Sequence, residues 1–301
     1  MARLAVLSPA LLLLLAISAG AAMDATIKYL TQTNHVLIVT LGRYVFGALF
    51  SLAIWVQAGK PAVTREMWRA HMLRGFVIAG TAVTFFWALT VLPLAEAVTL
   101  SFIYPLLVPF VAWIGLRERL RPASLVAALI GFAGVIVATR GAPTAAESPQ
   151  HTLGVIAVLT SAALFSVAMV LLRQRAQTDG APIVGLMTSL IPAFIVAGPA
   201  VVFAPPPNWS DWPLFLFMGA LAAGFMYLMA RAYAKAEAQA LAPIHYTELI
   251  WATLFGFVVF RETPRLEIFL GAALIIAACL YITYEERRLT SKPRSAHEQL
   301  G

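Results

Sequence analysis

Charged side chains are scarce in this 301-residue chain: Asp, Glu, Lys and Arg make up 12% of it, against about 25% in an ordinary soluble protein. Hydrophobic residues make up 61%. The core of a soluble domain cannot absorb so much apolar surface, whereas a lipid bilayer can. Long polar stretches are also lacking, since the longest are residues 140–152 and the tail after Tyr284. The composition therefore predicts an integral membrane protein without a soluble domain.

Cysteine is nearly absent, because Cys279 is the only one. A single cysteine excludes an intrachain disulfide and leaves no cysteine cluster for zinc or iron–sulfur ligation. The sequence also lacks HExxH, GxSxG, CxxC and P-loop motifs, and its five histidines are scattered. We therefore expect no metal, no cofactor and no ATP hydrolysis by this chain. A lipid-modifying enzyme built on His245 and Glu248 is disfavoured, because neither has a nucleophile or metal partner at a plausible spacing.

Apolar runs of membrane-spanning length are what the chain does contain. A spanning helix needs about 20 mostly apolar residues, and ten runs qualify. We therefore predict an all-α integral membrane fold with ten transmembrane helices. The predicted segments lie at roughly 7–28, 36–57, 73–92, 95–115, 122–139, 153–172, 183–203, 212–230, 241–260 and 266–284.

Basic residues are distributed unequally between the two sides of these segments. The net charge of +7 could indicate a nucleic-acid partner, but the basic residues lie between apolar runs and form no single patch. With the N-terminus inside, sixteen Lys and Arg residues fall on the cytoplasmic side and four on the external side. This distribution obeys the positive-inside rule. We predict that both termini are cytoplasmic and that the partner is the lipid bilayer of the inner membrane, not nucleic acid.

The first segment has a competing interpretation as a signal peptide. The sequence MARLAVLSPALLLLLAISAGAAMDA has a basic start, a leucine-rich centre and small residues that resemble a cleavage site. Cleavage would leave nine helices and reverse the charge argument for the N-terminus. We therefore favour retention of this segment as a transmembrane helix.

An internal repeat relates the two halves of the chain at an offset of 144 positions. Leu116-Arg117-Glu118 corresponds to Phe260-Arg261-Glu262 under this offset, Ser101 corresponds to His245, and Tyr104 to Glu248. Five helices in each half make the two repeats inverted, an arrangement that places substrate sites near the midplane. We predict a first repeat at 1–140, an external linker at 141–152, a second repeat at 153–286 and a cytoplasmic tail at 287–301.

His245 and Glu248 lie near the middle of the ninth segment and share one helix face. A charged side chain at bilayer depth costs at least about 2.5 kcal/mol, so it usually faces a cavity or a partner. Glu248 could bind a cationic substrate group or a proton. The alternative is a structural hydrogen bond, or an ion pair with Arg231 or Lys235.

Asp24, Lys28 and Arg43 form a second candidate group in the first two segments. Asp24 and Lys28 stand at i,i+4 on one face, and Arg43 lies at similar depth. We interpret them as gating or ion-pair residues, with Asp24 paired to Lys28 or Arg43. A fixed ion pair that locks the two helices is the alternative to a substrate role, and Lys28 could instead extend to the external interface.

The fourth segment contains Ser101, Tyr104, Pro105 and Pro109. The prolines leave carbonyls unpaired and predict a kink toward a cavity. Aromatic residues could line that cavity and stack on a flat ring or contact a cation. Glu96, Glu118, Glu237 and Glu262 are interpreted as helix caps or ion pairs. The aromatic candidates are Phe85, Phe86, Trp87, Tyr104, Phe165, Tyr227, Tyr246 and Trp251.

These motifs resemble the drug/metabolite transporter superfamily in its ten-helix EamA-type branch. The resemblance rests on IYPLLVPFVAWIGLRERL and ELIWATLFGFVVFRETP, which close the two halves, and on the Gly-rich LVAALIGFAGVIVATRG and its counterpart FLGAALIIAACLYITYEE. One departure is Leu249, where the repeat would place a proline. The stretches MDATIKYL, LAPIHYTELIWA and ITYEERR look like those of S-adenosylmethionine uptake carriers, while riboflavin carriers and amino-acid exporters share the architecture.

The resemblance implies a secondary carrier that works by alternating access, as a monomer or homodimer. Its substrate would be an amino acid or an amino-acid-derived metabolite. Glu248 would then meet the cationic end of the substrate, and Asp24 and Arg43 would position it or gate the path. Exporters or importers of flat aromatic compounds, such as riboflavin or drugs, are the alternative. The residues implied for the substrate site are Glu248, His245, Tyr104, Ser101, Trp87, Phe86, Tyr227 and Tyr246.

Overall fold

The computed structural model describes residues 8–117, 122–140, 148–233 and 244–290. Within these ranges the protein is entirely helical, without β-strands. A 3₁₀ turn, Trp209–Asp211, directly precedes α9. The helices are α1 Pro9–Leu30, α2 Val36–Gln57, α3 Arg65–Val91, α4 Leu94–Ser101, α5 Tyr104–Leu116, α6 Pro122–Ala138, α7 Pro149–Asp179, α8 Ala181–Phe203, α9 Trp212–Tyr233, α10 Glu248–Phe260 and α11 Leu266–Thr290.

Seven helical stretches are long and apolar enough to span a bilayer, and α4 and α5 together form one of them, Leu94–Gly115. Three shorter apolar helices, Pro122–Ala138, Glu248–Phe260 and Leu266–Tyr281, complete the set. The predicted all-α membrane fold is therefore confirmed. The cytoplasmic location of the termini stays a prediction.

Helix starts follow local capping chemistry. The Ser8 hydroxyl accepts a hydrogen bond from the Leu11 amide at 3.2 Å, and Pro9 occupies the first helical position of α1. Ser148 caps α7 in the same way, with Pro149 at its first position. Proline suits this position, because its fixed φ is helical and the missing N–H would have no partner there.

The repeat is visible in the helix boundaries. Helix α5 begins at Tyr104 and α10 begins at Glu248, 144 positions later. The two helices have the same length, so their last residues are also 144 positions apart. Each is followed by an arginine in the left-handed conformation, Arg117 with φ 56° and Arg261 with φ 58°. The next helices, α6 and α11, also start 144 positions apart.

The main helix contacts run between the two halves. Helix α1 packs on α9, and the repeat relates this pair of helices to the pair formed by α7 and α3. Helix α2 packs on α8, and α6 packs on α11. The α6–α11 contact is close because glycines face each other: a Cβ added to Gly271 would lie 2.5 Å from the carbonyl oxygen of Gly134. Small residues at such contacts allow membrane helices to approach closely.

The structure departs from the predicted segments in length and continuity. Helices α3 and α7 extend past segments 73–92 and 153–172, since polar residues outside the apolar core continue the same helices. Helix α7 begins inside the predicted linker. The predicted fourth helix is two helices, interrupted at 102–103. The break lies just before Pro105, which occupies the first turn of α5 and lacks the N–H that would continue α4, whereas Pro109 lies inside α5.

Candidate functional site

Two helix interruptions meet inside the molecule. One separates α4 from α5 at 102–103, and the other precedes α10 at 246–247. The Phe102 and Tyr246 rings make an edge-to-face contact with centroids 5.8 Å apart. Cys279 of α11 contacts both interruptions, since its Sγ lies 3.8 Å from the Phe102 carbonyl oxygen and hydrogen-bonds Tyr246. Non-helical backbone at membrane depth is tolerated where it is buried in protein or lines a cavity.

Tyr104 and Glu248 begin the helices that follow these interruptions. The N-terminus of a helix carries a positive partial charge, which favours a carboxylate such as that of Glu248 in the first turn. The Tyr104 ring packs edge-to-face on Phe165 at 4.8 Å. The repeat therefore places an aromatic side chain and a carboxylate at equivalent positions beside the two interruptions.

Asp24 and Glu248 bring two carboxylates together. Helix α1 packs on α10, and the two side chains interact electrostatically. Arg43 acts on Asp24 with the opposite charge, and its guanidinium lies 4.5 Å from the centroid of the Tyr44 ring. Within the described ranges neither carboxylate has a hydrogen bond or an ion pair. When both carboxylates are ionised they outnumber the one guanidinium, an arrangement that suits a cationic ligand group.

Lys28 does not pair with Asp24. Its ammonium lies 2.6 Å from Glu262 Oε1, donates to the Leu92 carbonyl and lies 5.3 Å from the centroid of the Phe260 ring. Lys28 is buried, so protein groups surround its side chain. The i,i+4 spacing predicts a shared face, but Lys28 is in the last turn of α1, where a long side chain can reach groups beyond the helix end.

The remaining candidates are dispersed. The Ser101 hydroxyl donates to the Val98 carbonyl at 2.8 Å, and Phe86 is buried in the hydrophobic core. Tyr227 accepts a hydrogen bond from Arg231 at 3.0 Å. Trp87 and His245 are half-buried. Glu118, Glu237 and Lys235 lie outside the described residues.

Two cavities are separate from the carboxylates. One of about 500 Å³ lies between α2, α8 and the Pro-rich segment before α9, with Trp209 and Trp212 at its rim. The other, of about 360 Å³, lies between α2 and α9 and is lined by Tyr227. Neither is lined by Asp24 or Glu248.

Sequence reasoning missed several polar contacts near the site. Glu96 was interpreted as a helix cap or ion pair, but its partners were not identified: Arg265 lies 3.0 Å and His151 3.2 Å from its carboxylate. Phe102 and Cys279, which join the two interruptions, had no signal beyond the uniqueness of the cysteine.

Comparisons with known proteins agree with this architecture. The model of the EamA-like transporter family matches residues 7–140 and 152–284. An S-adenosylmethionine uptake transporter of Rickettsia bellii (strain RML369-C) is 26% identical over 281 residues, which are 93% of this chain and 94% of that protein. A riboflavin transporter of Brucella anthropi is 26% identical over 90% of this chain and 96% of that protein. A solved crystal structure with 24% identity aligns over 94% of this chain and 99% of that chain with a TM-score of 0.63, which supports the fold alone.

Proposed function

Because this chain belongs to the EamA-like transporter family of multi-pass inner-membrane proteins, we propose that the small molecule it transports is an amino acid or an amino-acid-derived metabolite such as S-adenosylmethionine. Transport would proceed by alternating access. The two repeats would rock against each other around the paired helix interruptions, as in other transporters with discontinuous helices.

The charge arrangement of Asp24, Glu248 and Arg43 is the observation that carries this proposal. S-adenosylmethionine bears a sulfonium, an ammonium and one carboxylate. In their ionised forms, two carboxylates and one guanidinium would complement those three charges in sign and number. A charged group in a membrane interior is costly, so such groups usually mark a substrate or ion pathway.

Aromatic side chains beside the carboxylates support the same ligand class. Tyr104 and Tyr246 border the two interruptions, and Trp251 stacks with Phe255 one turn further along α10. Such rings can stack on a flat base or contact a sulfonium through a cation–π interaction, worth about 0.5–2 kcal/mol.

Thermal unfolding of the purified protein with S-adenosylmethionine tests the proposal. A ligand at 100 times its dissociation constant stabilises by about 2.7 kcal/mol. We expect this stabilisation, and uptake in vesicles, to be lost in Glu248→Gln. The matched control is Glu267→Gln, because Glu267 is the first-turn glutamate of the next helix, and it should retain both. If Glu248→Gln binds and transports as the unchanged protein does at every pH, Glu248 is not the substrate carboxylate.

Flat aromatic substrates are the second candidate, supported by the riboflavin transporter relative and by the aromatic pairs at the interruptions. Such a ligand would depend on stacking more than on the carboxylates. Stabilisation by riboflavin alone, unchanged by Glu248→Gln, would favour this candidate over an amino-acid-derived metabolite.

A further inference from the structure

The turn between α3 and α4 is held by polar groups from several helices. The carbonyl of Leu92 accepts a hydrogen bond from Lys28 of α1. Two residues later, the amide of Leu94 donates to Glu262 Oε2 at 2.8 Å, while the other oxygen of Glu262 pairs with Lys28. Lys28 and Glu262 thus satisfy one carbonyl and one amide of this turn and neutralise each other.

Glu96 adds a second set of contacts just inside α4. Its carboxylate is 1% exposed and lies 3.0 Å from Arg265 Nη2 and 3.2 Å from His151 Nε2. Arg265 also donates to the carbonyl of Arg140, at the end of α6. Helix α7 approaches the same turn so closely that a Cβ on Gly154 would lie 2.8 Å from the Leu92 side chain.

All these contacts converge on residues 92–96 and cross between the repeats. Lys28 comes from the first half, whereas Glu262, Arg265 and His151 come from the second. We propose that the 92–96 turn is one gate of the transport path, and that these four residues, the clamp, hold it closed. The inference rests on the alternating-access mechanism proposed above and assigns the residues that close one end.

The position of the turn explains why its release would open the site. Helix α4 leads from the turn directly to the interruption at 102–103, beside Tyr104. Moving the turn away from the clamp would bring water to Glu96 and Glu262, which can then exchange protein partners for hydration. The opposite end has its own contact between halves, because His71 of α3 lies 3.0 Å from Asp179 of α7. The two ends can therefore open separately.

Cysteine accessibility tests the gate without a transport assay. Replacing Cys279 with alanine leaves no other cysteine, and Ser101→Cys then reports on access to α4 beside the interruption. Gln32→Cys, at an exposed position just after α1, identifies the membrane side on which the clamp lies. A membrane-impermeant maleimide is applied to vesicles of either orientation.

We expect Glu262→Gln to speed labelling of Ser101→Cys at least about tenfold, which corresponds to about 1.4 kcal/mol in the equilibrium between closed and open states. The increase should occur only from the side on which Gln32→Cys reacts. Lys28→Met should have a similar effect, and the two effects should be less than additive in the double variant, because both changes break the Lys28–Glu262 ion pair. If Glu262→Gln does not fold, Arg265→Gln, which releases Glu96, serves in its place.

Asp211→Asn is the matched control. Asp211 accepts hydrogen bonds from Thr33 at 2.9 Å and Asn34 at 2.8 Å, so it also ties the halves at this end but does not contact the 92–96 turn. Unchanged labelling in the clamp variants, or an equal increase in Asp211→Asn, would overturn the proposal. The readout is accessibility, so a wrong substrate assignment leaves this test intact.

Discussion

Glu96 and Glu248 are both glutamates of membrane-spanning segments, but their surroundings differ. Glu96 is 1% exposed and faces Arg265 and His151. Glu248 has the Asp24 carboxylate nearby and, in the ranges the structure describes, no ion-pair partner. Neutralising them should therefore change stability in opposite directions.

We expect Glu96→Gln to lower the free energy of unfolding by about 1–3 kcal/mol, since it leaves buried polar groups without their partner. Glu248→Gln should raise the free energy of unfolding, because a charged carboxylate at membrane depth costs about 2.5 kcal/mol or more. Thermal unfolding in detergent without ligand measures both. A clear loss of stability in Glu248→Gln would show that its carboxylate has a structural role and would argue against the substrate site.

The sequence identifies individual charges better than their partners. Asp24, Arg43 and Glu248 stand out because each ionisable group lies within a long apolar run. The Lys28–Glu262 pair was missed, because it joins residues 234 positions apart through the ends of two helices. The contacts of Ser101 and Phe86 could not be predicted either, since helices that are apolar on all sides have no periodicity to show which face is inward, and their substrate roles stay predictions.

The two helix interruptions are only partly predictable from local sequence rules. The run at 95–115 predicts a single helix kinked by its prolines, and the structure has a complete break just before Pro105, which lies in the first turn of α5. The equivalent break at 246–247 is followed by Leu249, so a proline at this position is not required for it. The two interruptions also contact each other through Phe102 and Tyr246, and no local pattern encodes that contact.

The α6–α11 contact makes a specific prediction about helix packing. An alanine at 271 would place its Cβ 2.5 Å from the carbonyl oxygen of Gly134, so the two backbones must separate. We expect Gly271→Ala to lower the free energy of unfolding by about 1–3 kcal/mol, as overpacking does. Thermal unfolding measures the change.

Gly185→Ala is the control for that substitution, because nothing lies within 4 Å of a Cβ at this position in α8. An alanine in an open helical position is more favourable than glycine by about 0.5–1 kcal/mol. Equal effects of the two substitutions would mean that α6 and α11 are not closely packed.

The repeat was the most predictable feature of the complete chain. Two Arg-Glu pairs 144 positions apart were enough to align the halves, and the starts and ends of α5 and α10 follow the same offset. The ten segments followed from hydrophobicity because a bilayer requires long apolar runs. The clamp was not predictable in this way, since its residues are polar, few and brought together only by the packing of both halves.

The orientation of the chain in the membrane follows from charge alone and can be tested directly. Sixteen basic residues on one side against four on the other predict that the C-terminal tail is cytoplasmic. A green fluorescent protein fused after Gly301 should therefore fluoresce, and alkaline phosphatase at the same position should be inactive. Fusions within the predicted external linker at 141–152 should give the reverse. Active phosphatase on the tail would place the Lys28 end in the cytoplasm, so the clamp would then close the inner end of the path.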